Sequence, residues 1–137
     1  MSTESRIRQS FAAQSMMATL GAELVEIGEG RIVIAAPILP GSRQQHDFAH
    51  AALTFAIGDS AAGYAALTMM PEGQEVLTAE MKINLLAPAK GDRMIAVGRV
   101  EKAGRRLIVV SAEVFAETGD DRRRVAMLQG TIMPFDG

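Results

Sequence analysis

The segment from His50 to Met70, HAALTFAIGDSAAGYAALTMM, constrains the fold more than any other stretch of the chain. Fifteen of its 21 residues are Ala, Leu, Phe, Ile, Met or Gly, which predicts a helix fully buried in the core. Asp59 interrupts this run near its centre. Because a carboxylate is costly to remove from water unless it is paired or used, Asp59 is the first candidate for a reactive group.

A transmembrane interpretation of Ala51–Met70 is disfavoured, although the run has roughly the length of a membrane span. It contains Asp59 and two glycines, and many of its apolar residues are alanines, which supply little hydrophobic drive. The N-terminal sequence MSTESRIRQS lacks the apolar core of a signal peptide. We therefore expect a cytoplasmic protein with no membrane partner.

Length and composition exclude several classes of function. A chain of 137 residues is expected to form a single domain, residues 1–137, with a core that needs no disulfide. The net charge of −2 gives no indication of nucleic-acid binding. The absence of cysteine excludes a thiolate metal site, and two histidines, His46 and His50, do not favour a metal centre.

The residues around the central helix predict an α+β domain. A helix is expected over residues 4–19, followed by a hairpin of residues 23–27 and 31–38 around Gly28-Glu29-Gly30. Asp47 is the expected N-cap of the central helix, although the start of the helix is open to a shift of two or three residues. Glycine-bearing turns then separate four predicted strands, at residues 77–86, 94–100, 106–117 and 124–133. This order predicts one antiparallel sheet wrapped around one long central helix.

The first strand after the helix alternates clearly between apolar and polar residues. Strict alternation in LTAEMKINLL predicts that its two sets of side chains point to opposite faces of the sheet. The apolar set is Ala79, Met81, Ile83 and Leu85, and the polar set is Thr78, Glu80, Lys82 and Asn84. A buried Asp59 paired simply with Lys82 is the structural alternative to a catalytic Asp59.

Two stretches resemble the hotdog-fold acyl-CoA thioesterases of the phenylacetate pathway, the PaaI-like family. QQHDFAHAALTFAIGDSAAGYAA is similar to the HGG-x₆-[DE] segment of that family, and LTAEMKINLLAPAKGD to its T-x-[DE]-x-K-I-N-x-L-x-P-A segment. The resemblance spans the chain from about Ser10 to Met133. One departure is that the His-Gly-Gly of the family is His50-Ala51-Ala52 here.

The start of a buried helix offers hydrogen-bond donors, because its first N–H groups have no partner within the helix. The resemblance implies that the N–H of Ala51 binds the thioester oxygen and that Asp59 is the catalytic carboxylate. These residues are eight positions apart, which is roughly 12 Å along a helix. If both act on one thioester carbon, they must come from different chains. The resemblance implies the same arrangement at a two-fold interface, in a homodimer or a dimer of dimers.

The resemblance suggests roles for three more polar residues. Gln44 corresponds to a Gln or Asn that holds the substrate carbonyl or the water, although neighbouring Gln45 leaves the register open. Thr78 corresponds to a hydroxyl that assists the water or the carboxylate, with an ordinary strand residue as the alternative. His50 is expected to orient the loop or contact substrate rather than to act as a base.

Coenzyme A carries phosphates, so a basic rim is expected near the site. Lys90, Arg105 and Arg106 are the candidates, because they lie at predicted strand ends and turns. No separate cofactor is expected, since CoA is part of the substrate.

The resulting hypothesis is an acyl-CoA thioesterase acting on an aryl or medium-chain acyl-CoA. Whether Asp59 attacks the carbonyl or deprotonates water stays open. The alternative is a non-catalytic acyl-CoA-binding hotdog module, which the Ala51-Ala52 substitution would favour. A hotdog hydratase is a poorer fit, because His50 and Asp59 are about 12 Å apart in one helix.

Overall fold

A long helix lies against one face of a six-stranded antiparallel sheet in the computed structural model, which describes residues 1–137. The sheet order is β1-β2-β4-β5-β6-β3, so that β1 and β3 are its edge strands. This is the hotdog architecture that the resemblance implies. The elements are α1 (Thr3–Ala13), α2 (Ser15–Leu20), β1 (Glu23–Gly28), β2 (Arg31–Pro37), a 3₁₀ turn (Pro40–Ser42), α3 (Ala51–Leu67), β3 (Gln74–Leu85), β4 (Arg93–Ala103), β5 (Ile108–Thr118) and β6 (Asp121–Asp136). The hairpin and all four later strands are confirmed, with their ends displaced by a few residues.

The central helix α3 is capped by His50 rather than by Asp47. His50 has extended backbone angles, and its side chain accepts a hydrogen bond from the N–H of Ala52. Asp47 instead adopts a left-handed conformation with φ of 66°, in the turn that precedes the helix. The prediction of Asp47 as N-cap is therefore wrong, because the loop ends three residues later.

Only one side of α3 is covered by the sheet, so the prediction of a fully buried helix is wrong for its other side. Leu53, Ile57 and Ala61 on the covered side are at most 2% exposed. The opposite side forms a stripe open to solvent in the single chain, and Phe55 on it is 36% exposed. The stripe comprises Ala51, Ala52, Phe55, Ala56, Asp59, Ser60 and Gly63. No helix of the structure combines the length and hydropathy needed to cross a membrane.

The N-terminal segment forms two helices where a single one is predicted. Gln14 leaves the helical region, with φ of −81° and ψ of 100°, and divides α1 from α2. The Gln14 side chain donates a hydrogen bond to the hydroxyl of Tyr64 on α3, at 2.7 Å. The break thus turns the Gln14 side chain towards α3. Neither glycine nor proline marks this position in the sequence.

A β-bulge in β3 breaks the predicted alternation of that strand at Ala79, whereas the alternation from Glu80 to Leu85 is confirmed. Thr78 pairs with Ile132 and Glu80 pairs with Thr131, so Ala79 has no partner on β6. The extra residue places Thr78 on the inner face of the sheet, where Ile132 is fully buried. Thr78 therefore faces α3, whereas Glu80 faces outwards and accepts a hydrogen bond from the hydroxyl of Thr131.

Helix and sheet are in close backbone contact at Gly98 on β4. A Cβ atom at this position would overlap the backbone of Ala61 and Ala62 on α3. Large apolar side chains on either side of this contact, such as Ile57 and Met94, are fully buried. The position of α3 across the sheet is thus set by contact between two backbones, with little room for adjustment.

Gly98→Ala should lower the free energy of unfolding by about 3 kcal/mol, because overpacking must displace α3 from the sheet. Urea unfolding at fixed protein concentration measures this change. Gly41→Ala is the matched control: nothing lies within 4 Å of a Cβ there, so the change should stay within about 0.5 kcal/mol. Equal stability of Gly98→Ala and the natural protein would contradict the close contact.

Candidate functional site

The start of α3 presents one unpaired backbone donor to a cleft. The Nδ1 atom of His50 accepts the N–H of Ala52 at 2.9 Å, and the backbone oxygen of His50 accepts the N–H of Leu53 at 3.0 Å. The N–H of Ala51 has no hydrogen-bond partner in the chain. It opens on a cleft of about 540 Å³, between the loop before α3 and the segment of residues 85–89. This end of the helix is therefore ready to bind a negatively charged oxygen.

Gln44 lines the same cleft as Ala51. Its side-chain oxygen accepts the backbone N–H groups of His46 and of Phe48, the latter at 3.3 Å. The backbone N–H of Gln44 also binds the oxygen of Phe48, at 2.9 Å. These bonds fix the amide group and leave its NH₂ as the free donor of the side chain. A fixed donor that shares a cleft with a second free donor suits a site that binds a carbonyl oxygen.

Asp59 lies on the open stripe of α3, in a second cleft of about 240 Å³. The hydroxyl of Thr78 donates a hydrogen bond to Oδ1 of Asp59 at 2.8 Å, while Oδ2 has no partner. Burial raises the pKa of the Asp59 carboxyl above its ordinary value, and the bond from Thr78 opposes this in part. The alternative pairing of Asp59 with Lys82 is absent from the structure.

Two residues of the Asp59 cleft, Ser10 and Gln14, were missed by sequence reasoning as site residues, whereas Tyr64 was a candidate for the acyl pocket. Ser10 on α1 lies 3.0 Å from the hydroxyl of Tyr64, and Gln14 donates to that hydroxyl at 2.7 Å. All three residues line the cleft. One signal was available: Gln14 interrupts the apolar face that Ile7 and Phe11 define on the first helix.

The structure distributes the predicted CoA-binding residues widely. Lys90 follows Ala89, which lines the Ala51 cleft, and its Nζ lies 5.4 Å from the centre of the ring of Phe48, another lining residue. Arg105 and Arg106 are exposed in the turn between β4 and β5. The 11 residues of β4 separate them from Lys90, a span of roughly 36 Å. Gln45 is exposed and lines neither cleft, whereas His50 lines the Ala51 cleft.

The two clefts cannot act on one atom within a single chain. Ala51 and Asp59 lie on the same helix, eight residues and roughly 12 Å apart. The chain thus holds two separate candidate half-sites: a candidate oxygen-binding half-site of Ala51 and Gln44, and a candidate carboxylate half-site of Asp59 and Thr78. No group of three or more His, Asp or Glu side chains is placed to hold a metal ion.

Comparison with known proteins identifies the class. Residues 46–122 match the family model described as the thioesterase superfamily. The crystal structure of a thioesterase family protein from Silicibacter pomeroyi is 39% identical, with a TM-score of 0.96 over 98% of this chain and 99% of that one. No curated protein sequence matches the chain.

Two more distant structures share the fold. The PaaI protein from the phenylacetic acid degradation operon of Escherichia coli is 20% identical, with a TM-score of 0.87 over 98% of this chain and 94% of that one. Thioesterase HI1161 from Haemophilus influenzae is 19% identical, with a TM-score of 0.82 over 93% and 87%. The hotdog fold inferred from the sequence is confirmed.

The chain belongs to the thioesterase superfamily, and its reaction is the hydrolysis of a thioester. The predicted enzyme class is confirmed.

The burial of Asp59 and its hydrogen bond from Thr78 allow a prediction of how this carboxyl group titrates. Its pKa, followed by carbon-13 NMR of the carboxyl group, should lie above the ordinary aspartate range. Thr78→Val removes the hydrogen bond that lowers this pKa and should raise it further. Thr131→Val is the matched control, since that hydroxyl binds Glu80 on the outer face. If the pKa of Asp59 were the same in Thr78→Val as in the natural protein, the effect assigned to the Thr78 hydrogen bond would be wrong.

Stability should follow the same titration. A carboxyl whose pKa is raised in the folded state binds more protons there than in the unfolded chain, so its contribution to stability is lost as pH rises through the folded-state pKa. In Asp59→Asn the free energy of unfolding should fall less steeply with pH, between the pKa of Asp59 in the unfolded chain and its pKa in the folded state. A series of unfolding curves across this pH range measures the difference. An unaltered pH dependence in Asp59→Asn would show that another group causes it.

Proposed function

We propose that the protein hydrolyses an aryl or medium-chain acyl-CoA at sites shared between the two protomers of a homodimer. Each site combines the carboxylate half-site of one protomer with the oxygen-binding half-site of the other. The observation that carries this proposal is the separation of Ala51 and Asp59 by roughly 12 Å on one helix. Two such helices side by side and antiparallel would bring Asp59 of each close to Ala51 of the other.

The open stripe of α3 supports a second copy of this chain as the partner. The stripe carries apolar and small side chains, including Phe55 and Ala56, and a helix apolar on both sides is normally covered on both. Strand β3 beside it is an edge strand, with unpaired backbone groups along one side. A two-fold pairing at this edge would continue the sheet and cover both helices. A dimer of dimers is the further possibility that we propose.

The proposed reaction divides the work between the half-sites. The N–H of Ala51 and the NH₂ of Gln44 hold the thioester oxygen as negative charge develops on it. Asp59 either attacks the carbonyl carbon or takes a proton from the attacking water, with Thr78 holding one carboxylate oxygen in place. If Asp59 activates water, the tetrahedral intermediate loses CoA as the C–S bond breaks, and the acid keeps the oxygen from water. If Asp59 attacks, CoA leaves as an anhydride forms between Asp59 and the acyl group, and water then cleaves this anhydride to the acid and the free carboxylate. In both routes the CoA thiolate takes up a proton that water has released.

Alanine at position 51 preserves the donor that this mechanism needs. The donor is a backbone N–H, which alanine and glycine share, and the structure leaves it unpaired. Ala52 has its N–H bound to His50, so it contributes no second donor. His50 itself acts as the helix cap and is proposed to orient this loop rather than to transfer protons.

The size of the Asp59 cleft supports the substrate class. The cleft of about 240 Å³ exceeds the roughly 150 Å³ that accommodates benzene in a protein interior. An aromatic ring or a chain of similar bulk has room in this volume, beside the three hydrophobic lining residues Tyr64, Leu67 and Val76; the other seven include polar residues such as Asp59 and Thr78.

Of the three predicted basic residues, Lys90 is the best placed for a CoA phosphate, because it lies near the Ala51 cleft. Arg105 and Arg106 would reach that phosphate only from another protomer. The cytoplasmic location stays a prediction.

Mixing two inactive variants tests the shared site. Ala51→Pro removes the free N–H, yet proline is well tolerated at the first position of a helix and His50 already has extended angles. Asp59→Asn removes the carboxylate. Each variant alone should lose at least 99% of thiol release (roughly 100-fold), since each loses one electrostatic element of the reaction. Unfolding both together and refolding the mixture should restore about a quarter of the natural activity, from one intact site per mixed dimer.

The control is Ala51→Gly, which keeps the N–H and should retain activity. Thiol release is measured with phenylacetyl-CoA and a series of straight-chain acyl-CoAs. A mixture as inactive as its components, although light scattering and mass spectrometry show mixed dimers, would contradict sharing of the site. Full activity of Asp59→Asn on every substrate would overturn the role of its carboxylate.

A further inference from the structure

Two cavities meet at the side chain of Gln14. One is the Asp59 cleft of about 240 Å³, to which Ser10, Gln14 and Tyr64 contribute one wall. The other is a groove of about 400 Å³ between β1 and the elbow formed by α1 and α2, which we call the elbow groove. Gln14 lines both cavities, and none of the other lining residues does. Its side chain is therefore the boundary between them.

Hydrogen bonds hold the Gln14 side chain in this position. Its Nε2 atom donates to the hydroxyl of Tyr64 at 2.7 Å, and Ser10 lies 3.0 Å from the same hydroxyl. The rings of Tyr64 and Phe11 are 6.2 Å apart, which is within the range of a packed aromatic pair. Together these contacts hold Gln14 at the position where it lines both the Asp59 cleft and the elbow groove.

The elbow itself is held by backbone bonds that do not involve the Gln14 side chain. The N–H of Gln14 binds the oxygen of Phe11 at 3.0 Å, and the oxygen of Gln14 accepts the N–H of Met17 at 3.1 Å. The side chain is thus available for a purpose other than holding α1 and α2 in place. Tyr64 would keep its bond to Ser10 if Gln14 were removed.

We propose that Gln14 sets the upper limit on acyl length, and that the elbow groove is a closed-off binding site for the far end of a longer aliphatic chain. This inference rests on the proposed function, because it takes the acyl group to lie in the Asp59 cleft. With Gln14 in place, the acyl group ends at the Gln14–Tyr64 pair. Without that side chain, a longer chain continues into the groove.

The chemistry of the elbow groove fits an aliphatic chain. Six of its nine lining residues are hydrophobic, among them Phe11, Met17 and Leu24. Its charged residues, Arg8 and Glu23, are both exposed. An alkyl chain that enters past position 14 would leave water for this apolar lining, which is favourable for each methylene buried.

The test is the chain-length profile of Gln14→Ala. Thiol release is measured on straight-chain acyl-CoAs from butyryl to palmitoyl and on phenylacetyl-CoA. Relative to phenylacetyl-CoA, kcat/KM for the longest chains should rise at least about tenfold, the discrimination that one well-buried methylene supplies. Tyr64→Phe, which removes the hydroxyl that holds Gln14, should shift the profile in the same direction and serves as the second variant.

Two further variants fix the interpretation. Gln9→Ala, on the exposed side of α1, should keep the natural profile. Ala18→Phe, added to Gln14→Ala, should fill the elbow groove and cancel the gain for long chains. A natural profile in both Gln14→Ala and Tyr64→Phe, with turnover of phenylacetyl-CoA retained, would overturn this inference alone. No turnover of any acyl-CoA by the natural protein would overturn the proposed function, and this inference with it.

Discussion

The rise of α3 fixes the distance between the groups that this thioesterase is proposed to use. Helical geometry places Ala51 and Asp59 roughly 12 Å apart, and nothing in the chain shortens that span. The helix also has little freedom to shift, because its backbone touches β4 at Gly98. The proposed assembly follows from this constraint, since a thioester carbon needs its oxygen-binding donors and its carboxylate within a few ångströms of each other.

Asp59 is poised between two opposing effects. Burial favours the neutral acid, which cannot attack a carbonyl or accept a proton, whereas the hydroxyl of Thr78 favours the carboxylate. The second effect depends on the bulge at Ala79, which turns Thr78 to the inner face of the sheet. A single extra residue in β3 therefore allows Thr78 to bind Asp59 on α3.

The sequence predicts the fold well where hydrophobic periodicity is strong and less well where single residues break it. The hairpin, α3 and the four later strands are predicted because each has a clear apolar pattern and a glycine-bearing turn at its end. The break at Gln14 and the bulge at Ala79 are not, since both arise from tertiary contacts and neither residue type favours such a distortion. Asp47 fails as a cap because a good capping residue can equally serve a turn.

The candidate site was predictable in part for the same reasons. Asp59, Ala51 and Gln44 belong to a motif that is continuous in sequence, and the structure places each of them at a cleft. Ser10, Gln14 and Tyr64 join the Asp59 cleft from different elements, so no local pattern brings them together. Arg105 and Arg106 are predicted site residues that lie away from both clefts. They are candidates because they lie in a turn rich in charge, but such a turn does not indicate which end of a strand lies near the substrate.

The backbone and the side chain of Gln14 have different roles. Its backbone joins α1 to α2, while its side chain donates to Tyr64 on α3, and the residue lines both the Asp59 cleft and the elbow groove. A residue of this kind is free to drift during evolution, because a new side chain changes what the cleft admits without loosening the helices around it. Related chains with the same fold could therefore diverge in substrate preference through position 14 before any change in their catalytic residues.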